Sequence, residues 1–200
     1  MADTVVPMRF EDTPLLWVVE DVYTPAECAE IARRIEDWSP RLATNNPIYR
    51  DQDRVVRDDP DFAGDLFERL RAHIPARMGE LSVVGLNERL RFYRYQAGQQ
   101  FAPHMDHWYH PDETHITLLT VLVYFNDDFA GGETRFMEQL EQTVVPRPGL
   151  VALFQHKIRH EGCEVTRGRK YAMRSDVIYE APSPIRIDFG NGPRADADVR

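Results

Sequence analysis

From about Leu81 onward, the chain alternates short apolar stretches with turn-forming residues. Turn signals such as Ala130-Gly131-Gly132 and Pro146-Arg147-Pro148-Gly149 separate stretches that are rich in β-branched and aromatic residues. Short strands at this spacing are typical of β-sandwiches and jelly rolls. The predicted strands are Leu90–Tyr95, Ile116–Phe125, Thr134–Phe136, Thr143–Val145, Leu150–Phe154 and Tyr171–Tyr179. The second half of the chain is therefore predicted to be all β.

Two amphipathic helices are predicted before this half, after a short apolar strand at Leu15–Val19. The first begins at Thr24-Pro25-Ala26-Glu27, which combines an N-cap, a proline in the first turn and a capping-box glutamate. The second begins at Asp59-Pro60 and ends near Pro75. Their apolar residues recur every three or four positions: Cys28, Ile31, Ala32, Ile35 and Trp38, then Phe62, Leu66, Leu70 and Ile74. We expect an α+β, mainly β fold: a double-stranded β-helix (jelly roll) core with the N-terminal helices packed on one sheet.

The length of 200 residues predicts a single domain. Residues 1–80 would supply the first strand and the helices, residues 81–180 the jelly-roll core, and residues 181–200 a frayed tail rich in proline, glycine and charge. Ser39–Asp59 is polar and is predicted to be a long loop, serving as an active-site lid or remaining disordered. Within it, Val55-Val56 suggests a strand that packs on the barrel.

Composition argues against several classes of partner. The chain has 24 Lys and Arg against 33 Asp and Glu, and this net charge of −9 makes a nucleic-acid partner unfavourable. Its apolar stretches fall short of the roughly 20 residues of a membrane span, and the N-terminus does not resemble a secretory signal, so we expect a cytoplasmic protein with no membrane partner. Cys28 and Cys163 are expected to be free thiols.

Three residues are candidate metal ligands. His104 and Asp106 lie two positions apart, so in an extended backbone both side chains face the same side. His160 follows the apolar strand that ends at Phe154, and the strand order of a jelly roll could bring it to the same point. Two imidazoles and one carboxylate form the facial triad of non-haem Fe(II) oxygenases, although zinc accepts the same ligand types.

Lysine is rare in the chain. Lys157 and Lys170 are its two lysines, and all other basic side chains apart from histidine are arginines. A cation on an inward-facing strand position needs an anionic partner, and a carboxylate-bearing ligand would supply one. The alternation of residues leaves open whether Lys170 or its neighbour faces inward, and a surface lysine is the alternative.

Four pieces of the chain together resemble the catalytic domain of the prolyl 4-hydroxylase-type Fe(II)/2-oxoglutarate-dependent dioxygenases. They are Tyr95–Asp106, Gly131-Gly132-Glu133-Thr134, His160-Glu161-Gly162 and Lys170. The similarity covers about Leu81 to Tyr179, and the preceding residues resemble the N-terminal region of stand-alone bacterial members. The order is distinctive: His-x-Asp, a second histidine more than fifty residues later, and a lysine ten residues after it.

This resemblance implies a site and a reaction. His104, Asp106 and His160 would bind Fe(II), Lys170 and Tyr95 would bind the distal carboxylate of 2-oxoglutarate, and Thr120 would line the cosubstrate pocket. Dioxygen would be the second cosubstrate, and the reaction would hydroxylate an unactivated C–H bond and form succinate and CO2. Because Asp106 is present, hydroxylation is favoured over halogenation. No metal role is assigned to His107, His110, His115 or His156.

The prime substrate is a peptidyl residue (proline among them), a free amino acid or another small metabolite. The candidate substrate contacts are Arg54, Arg57, Trp108, Tyr109 and Arg174, and only one of the first two is expected to face the iron. Packing at the barrel rim is the alternative for Trp108 and Tyr109, and a supporting contact next to the metal ligands is the alternative for Arg174. Asn45, Asn46, Tyr49 and Arg50 belong to the same polar segment. The alternative function is a cupin-like metal-binding protein without oxygenase activity.

Overall fold

The structure, a computed structural model, describes residues 3–42, 51–138 and 140–188. Its helices are α1 (Pro25–Asp37) and α2 (Pro60–Leu70), and a single 3-10 turn follows at Arg71–His73. The predicted capping box starts α1: the Thr24 hydroxyl accepts the Glu27 N–H, and the Glu27 carboxylate accepts the Thr24 N–H at 2.7 Å. Asp59 caps α2 through the N–H of Phe62.

The strands of the described residues, in chain order, are β1 (Thr4–Pro7), β2 (Leu16–Val19), β3 (Arg41–Leu42), β4 (Asp53–Asp58), β5 (Arg77–Met78), β6 (Leu81–Leu86), β7 (Arg89–Gln96), β8 (Phe101–His104), β9 (His115–Tyr124), β10 (Ala130–Gly131), β11 (Thr134–Phe136), β12 (Thr143–Val144), β13 (Val151–Gln155), β14 (His160–Gly162), β15 (Val165–Arg167), β16 (Arg169–Glu180) and β17 (Ile185–Asp188). The larger sheet has the order β2-β13-β9-β16-β7-β4-β3, with β6 and β5 attached beside β16. The smaller sheet has the order β12-β11-β14-β8. Neighbouring strands in both sheets are antiparallel, and central pairs such as β14 with β8 and β16 with β7 join strands distant in sequence, which confirms the predicted jelly roll.

The larger sheet is covered on both faces. On its outer face the buried side chains of α1 and α2, such as Ile35 and Leu66, join one core with Phe92 and Met173. On its inner face a second core with Phe154 and Ala172 packs towards the smaller sheet. The helices therefore brace one sheet, as predicted, and leave the space between the sheets for a site.

The predicted loop over Ser39–Asp59 is wrong in part, because β3 and β4 extend the larger sheet beyond β7. Asp53 stabilises this edge through Arg94 at 2.8 Å, and Val55 packs on the helix-side core. The strand predicted at Val55-Val56 is therefore present. The four residues Asn45, Asn46, Tyr49 and Arg50 lie outside the described residues.

The prediction of a frayed tail is also wrong in part. β17 pairs in parallel with β1, with Thr4 opposite Ile185, and this pairing buries Val6 completely. The two strands lie at opposite ends of the chain, so local sequence carries no sign of the pairing. Residues 189–200 lie outside the described residues. No helix in the described part of the chain is long and apolar enough to cross a bilayer.

Candidate metal centre

The smaller sheet brings two histidines together at one end of the barrel. β8 ends at His104 and β14 begins at His160, and the antiparallel pairing of these strands places the two residues opposite each other. Asp106 follows two residues after β8. Its oxygens lie 3.8 Å from His104 Nε2 and 3.8 Å from His160 Nε2, and one donor atom from each residue falls within 4.8 Å of the others.

Hydrogen bonds set the tautomer of both imidazoles. His104 Nδ1 lies 2.8 Å from the Ala102 carbonyl oxygen, and His160 Nδ1 lies 2.9 Å from that of Ile158. A carbonyl oxygen can only accept, so each Nδ1 carries the hydrogen and each Nε2 keeps its lone pair for a metal. Nε2 of each ring is also the atom that lies near Asp106.

The electrostatics keep this donor set ready for a metal. Burial, followed by the proximity of His160, lowers the pKa of His104 to about 3, and burial also lowers the pKa of His160. Burial by itself would raise the pKa of Asp106, but Arg174 and the nearby histidines outweigh it and hold that pKa below its ordinary value. At neutral pH the three groups are two neutral imidazoles and one carboxylate, which fits Fe(II).

Thr120 and Arg174 both contact the Asp106 carboxylate. Thr120 Oγ1 donates to Oδ2 at 2.5 Å, and Arg174 Nη1 lies 2.6 Å from Oδ1. Both residues also line the pocket beside the triad. Each oxygen of the carboxylate therefore has its own partner from the larger sheet.

The pocket extends from the three candidate ligands to Lys170. The cavity between its lining side chains has a volume of about 40 Å³ and opens to solvent. Lys170 is 3% exposed, and its Nζ donates to the carbonyl oxygen of Gly132 at 2.6 Å, with the Tyr95 and Tyr124 rings 5.0 and 5.3 Å away. Among the described residues, no carboxylate oxygen lies within 4.0 Å of this ammonium. Burial lowers the pKa of Lys170 to about 8.

Lys170 thus faces inward. This answers the question that the alternation of residues in the sequence left open. Tyr171, its neighbour, lies on the helix side of the sheet and donates to Glu36 of α1 at 2.6 Å. Tyr95 lines the same pocket as Lys170. Gly131 and Gly132 precede β11 with positive φ angles of 73° and 71°, and this turn presents the Gly132 carbonyl to Lys170.

The remaining candidate substrate residues do not line this pocket. Arg54 pairs with Tyr93, so it shares the sheet face of a pocket residue, whereas Arg57 lies on the helix side with its guanidinium 4.6 Å from the centre of the Trp38 ring. Trp108 is half-buried against Lys157, and Tyr109 is 52% exposed. Of the arginine pair, Arg54 is the one on the barrel side.

Comparison with known proteins supports one family. Residues 90–175 match the family model of the 2OG-Fe(II) oxygenase superfamily. Over these residues the chain is similar to this superfamily, which supports a 2OG-Fe(II) oxygenase. Comparison with curated protein sequences gives no match.

Solved structures of prolyl hydroxylases resemble this oxygenase. A Pseudomonas putida prolyl-4-hydroxylase has a TM-score of 0.66 and 17% identity, with 83% of this chain and 93% of that chain covered. A collagen prolyl hydroxylase of Paramecium bursaria Chlorella virus-1, in a 2OG complex, has a TM-score of 0.63 and 17% identity, with coverage of 85% and 98%. A Trichoplax adhaerens prolyl hydroxylase, in complex with a hypoxia inducible factor peptide fragment, has a TM-score of 0.63 and 15% identity, with coverage of 83% and 84%. At these identities the likeness shows the fold.

The oxygenase is a 2-oxoglutarate-dependent dioxygenase with iron as its metal, and the donor set described above fits that metal. Sequence reasoning missed two residues beside this centre. Asp176 is 2% exposed and pairs with Arg174 at 2.8 Å, and Lys157 donates to the main-chain oxygen of Asp106 at 2.9 Å. Asp176 could have been found, since it lies on β16 at even spacing from Lys170 and Arg174. Lys157 carried no local signal besides the rarity of lysine.

Proposed function

We propose that this oxygenase hydroxylates an unactivated C–H bond of its prime substrate, consuming one 2-oxoglutarate and one dioxygen and releasing succinate and CO2. One observation carries the proposal. Three donor atoms that suit iron lie at one end of a buried pocket, and a buried lysine without a carboxylate partner among the described residues lies in the same pocket. A dicarboxylate that bridges the two would satisfy both.

In this proposal each of the named pocket residues has its own role. His104, Asp106 and His160 hold the iron, which when bound supplies the oxidation of the C–H bond coupled to decarboxylation of the cosubstrate. Lys170 and Tyr95 hold the distal carboxylate of 2-oxoglutarate, while apolar side chains that line the pocket, such as Phe154, exclude water. Three ligands from the protein leave open positions for cosubstrate and dioxygen.

We infer that the prime substrate is a peptidyl residue, with proline among the candidates, a free amino acid or a small metabolite. The Trichoplax protein with a similar fold binds a peptide fragment, which supports testing peptides first. Arg54 lies on the pocket side of β4 and is the proposed contact for a carboxylate or carbonyl of the substrate.

The test measures succinate release by the purified protein with Fe(II), 2-oxoglutarate and dioxygen, across peptides and amino acids. We expect His104→Ala, Asp106→Ala and His160→Ala each to lose iron and succinate formation while the protein stays folded. Near-normal iron content and turnover in any of them would remove that residue from the metal site. Stoichiometric metal binding without succinate formation would instead support the cupin-like alternative.

A further inference from the structure

Asp106 has four polar partners although it lies outside regular structure. It lies between β8 and β9 but is only 3% exposed. Its main-chain N–H donates to the His156 carbonyl at 2.9 Å, and its carbonyl accepts from Lys157 Nζ at 2.9 Å. Its two carboxylate oxygens contact Arg174 and Thr120. All four partners lie at least 14 residues away from Asp106 in the chain.

Arg174 is itself anchored on its far side. Its Nε and Nη2 donate to Asp176 Oδ1 at 3.2 and 2.8 Å, and Asp176 Oδ2 accepts from Arg91 at 3.2 Å. Nε2 of the buried His156 lies 3.4 Å from Asp176 Oδ1. One planar guanidinium therefore bridges two buried carboxylates, a task that its fork of donors suits and that a lysine ammonium would perform less well.

This bridge distinguishes Arg174 from Lys170. A carboxylate ligand could pair with Lys170 without breaking an ion pair among the described residues, because the present partner of Nζ is a carbonyl oxygen. The same ligand on Arg174 would have to compete with Asp106 and Asp176, and separating a buried ion pair is costly. Arg174 is therefore a poor cosubstrate anchor.

We propose that Arg174 is a positioning residue for the metal site: the Asp106–Arg174–Asp176 bridge fixes the Asp106 carboxylate in the orientation that binds the metal. The inference rests on the proposed role of His104, Asp106 and His160 as ligands. Metal ligands that are oriented by hydrogen-bonded or charged neighbours lose affinity when those neighbours are removed.

Two effects of Arg174 on a metal have opposite signs, which makes the test decisive. As a positive charge, the guanidinium repels a dication, so its removal should tighten metal binding. As a positioning residue, it orients a ligand, so its removal should weaken metal binding. The double substitution Arg174→Met with Asp176→Asn removes one cation and one anion, so the net charge of the site stays the same and mainly the orientation is lost.

The experiment titrates the metal-free protein with Mn(II) by calorimetry and follows its thermal unfolding separately. We expect Mn(II) to bind about 10- to 100-fold more weakly to the double variant. Arg174→Lys keeps the charge and one donor group, so its affinity for Mn(II) should fall less than that of the double variant. It provides the second test where the double variant does not fold. The matched control is Arg71→Met with Glu68→Gln, which removes an exposed ion pair and should leave the affinity unchanged.

A His104→Ala variant, titrated in parallel, separates the two hypotheses. Loss of Mn(II) binding in His104→Ala, together with unchanged or tighter binding in the double variant and in Arg174→Lys, would overturn the positioning role and leave the proposed function standing. Unchanged binding in His104→Ala would refute the metal site itself. A change in thermal unfolding without a change in Mn(II) affinity would show that the bridge is only structural, and this also overturns the proposal.

Discussion

Lys170 makes the proposed cosubstrate site sensitive to pH in a defined direction. Burial lowers its pKa from 10.5 to about 8, because the ammonium lies in the pocket with a carbonyl oxygen and two tyrosine rings around it. A bound carboxylate would favour the protonated form and raise this pKa again. Binding of 2-oxoglutarate should therefore be strongest below pH 8 and weaken as the pH rises above it.

The magnitude follows from the fraction of protein that carries the proton. With a pKa of about 8, about nine-tenths of the lysine is protonated at pH 7 and about one-tenth at pH 9, so the apparent Kd should rise about tenfold between these values. Over the same interval, proton uptake per bound 2-oxoglutarate should rise from about 0.1 to about 0.9. Complete loss of the charged contact in Lys170→Ala should cost about 1.5–3 kcal/mol, or roughly ten- to a hundredfold in Kd.

The assay is calorimetry of 2-oxoglutarate binding to the Mn(II)-loaded protein, in buffers with different ionisation enthalpies, at pH 7 and pH 9. Lys170→Arg is the matched variant, since arginine keeps its charge throughout this range and should bind without proton uptake. Equal proton uptake by the parent and Lys170→Arg would refute the reasoning. An unchanged Kd in Lys170→Ala would place the carboxylate anchor elsewhere.

Three further substitutions test neighbouring parts of the site. Arg54→Ala should lose coupled hydroxylation of the identified substrate yet keep 2-oxoglutarate decarboxylation. Arg57→Ala should keep the hydroxylation activity of the parent protein. Equal effects of the two substitutions would contradict the assignment of Arg54 to the barrel side and Arg57 to the helix side of β4. Gly132→Ala should raise the KM for 2-oxoglutarate, since its φ is 71° and an added Cβ would lie 2.9 Å from Phe129 and Val165 and 3.3 Å from the Lys170 side chain, so the turn beside Lys170 would have to shift. Gly64→Ala, with open space around it, should leave this KM unchanged. Thr120→Val should weaken Mn(II) binding by removing the donor to Asp106 Oδ2, and Thr120→Ser should restore it; equal affinity of both variants would exclude that hydrogen bond.

The elements that could be predicted were those with local signals. Thr24-Pro25-Ala26-Glu27 contains its whole capping box within one helical turn, so α1 starts where the sequence indicates. The spacing of His104 and Asp106 is also local, because two residues of extended backbone determine that their side chains share a face. His160 joined the site only through the expected strand order of a jelly roll.

The parts that could not be predicted depend on long-range pairing. β1 and β17 are the ends of the described chain, and neither has a partner that local periodicity could reveal. β3 and β4 looked like a polar loop because charged residues there are satisfied across the sheet, as Asp53 is by Arg94. A polar segment is therefore a sign of a loop only when its polar side chains are solvated, and here they pair with side chains of the neighbouring strand.

β16 shows why sequence alternation could not decide which residues face the pocket. Period-two patterning identifies the buried face of a strand when the other face meets water. Here the helices bury one face, with Met173 in the outer core, and the smaller sheet buries the other, with Ala172 in the inner core. What distinguishes the two faces is therefore charge, since Lys170, Arg174 and Asp176 all lie on the inner one.

Together with Arg91 and Asp106, these three residues carry three positive and two negative charges, and the two carboxylates are each paired with arginine. Among these five residues the remaining positive charge is that of Lys170, and it lies where the proposed function requires an anionic cosubstrate.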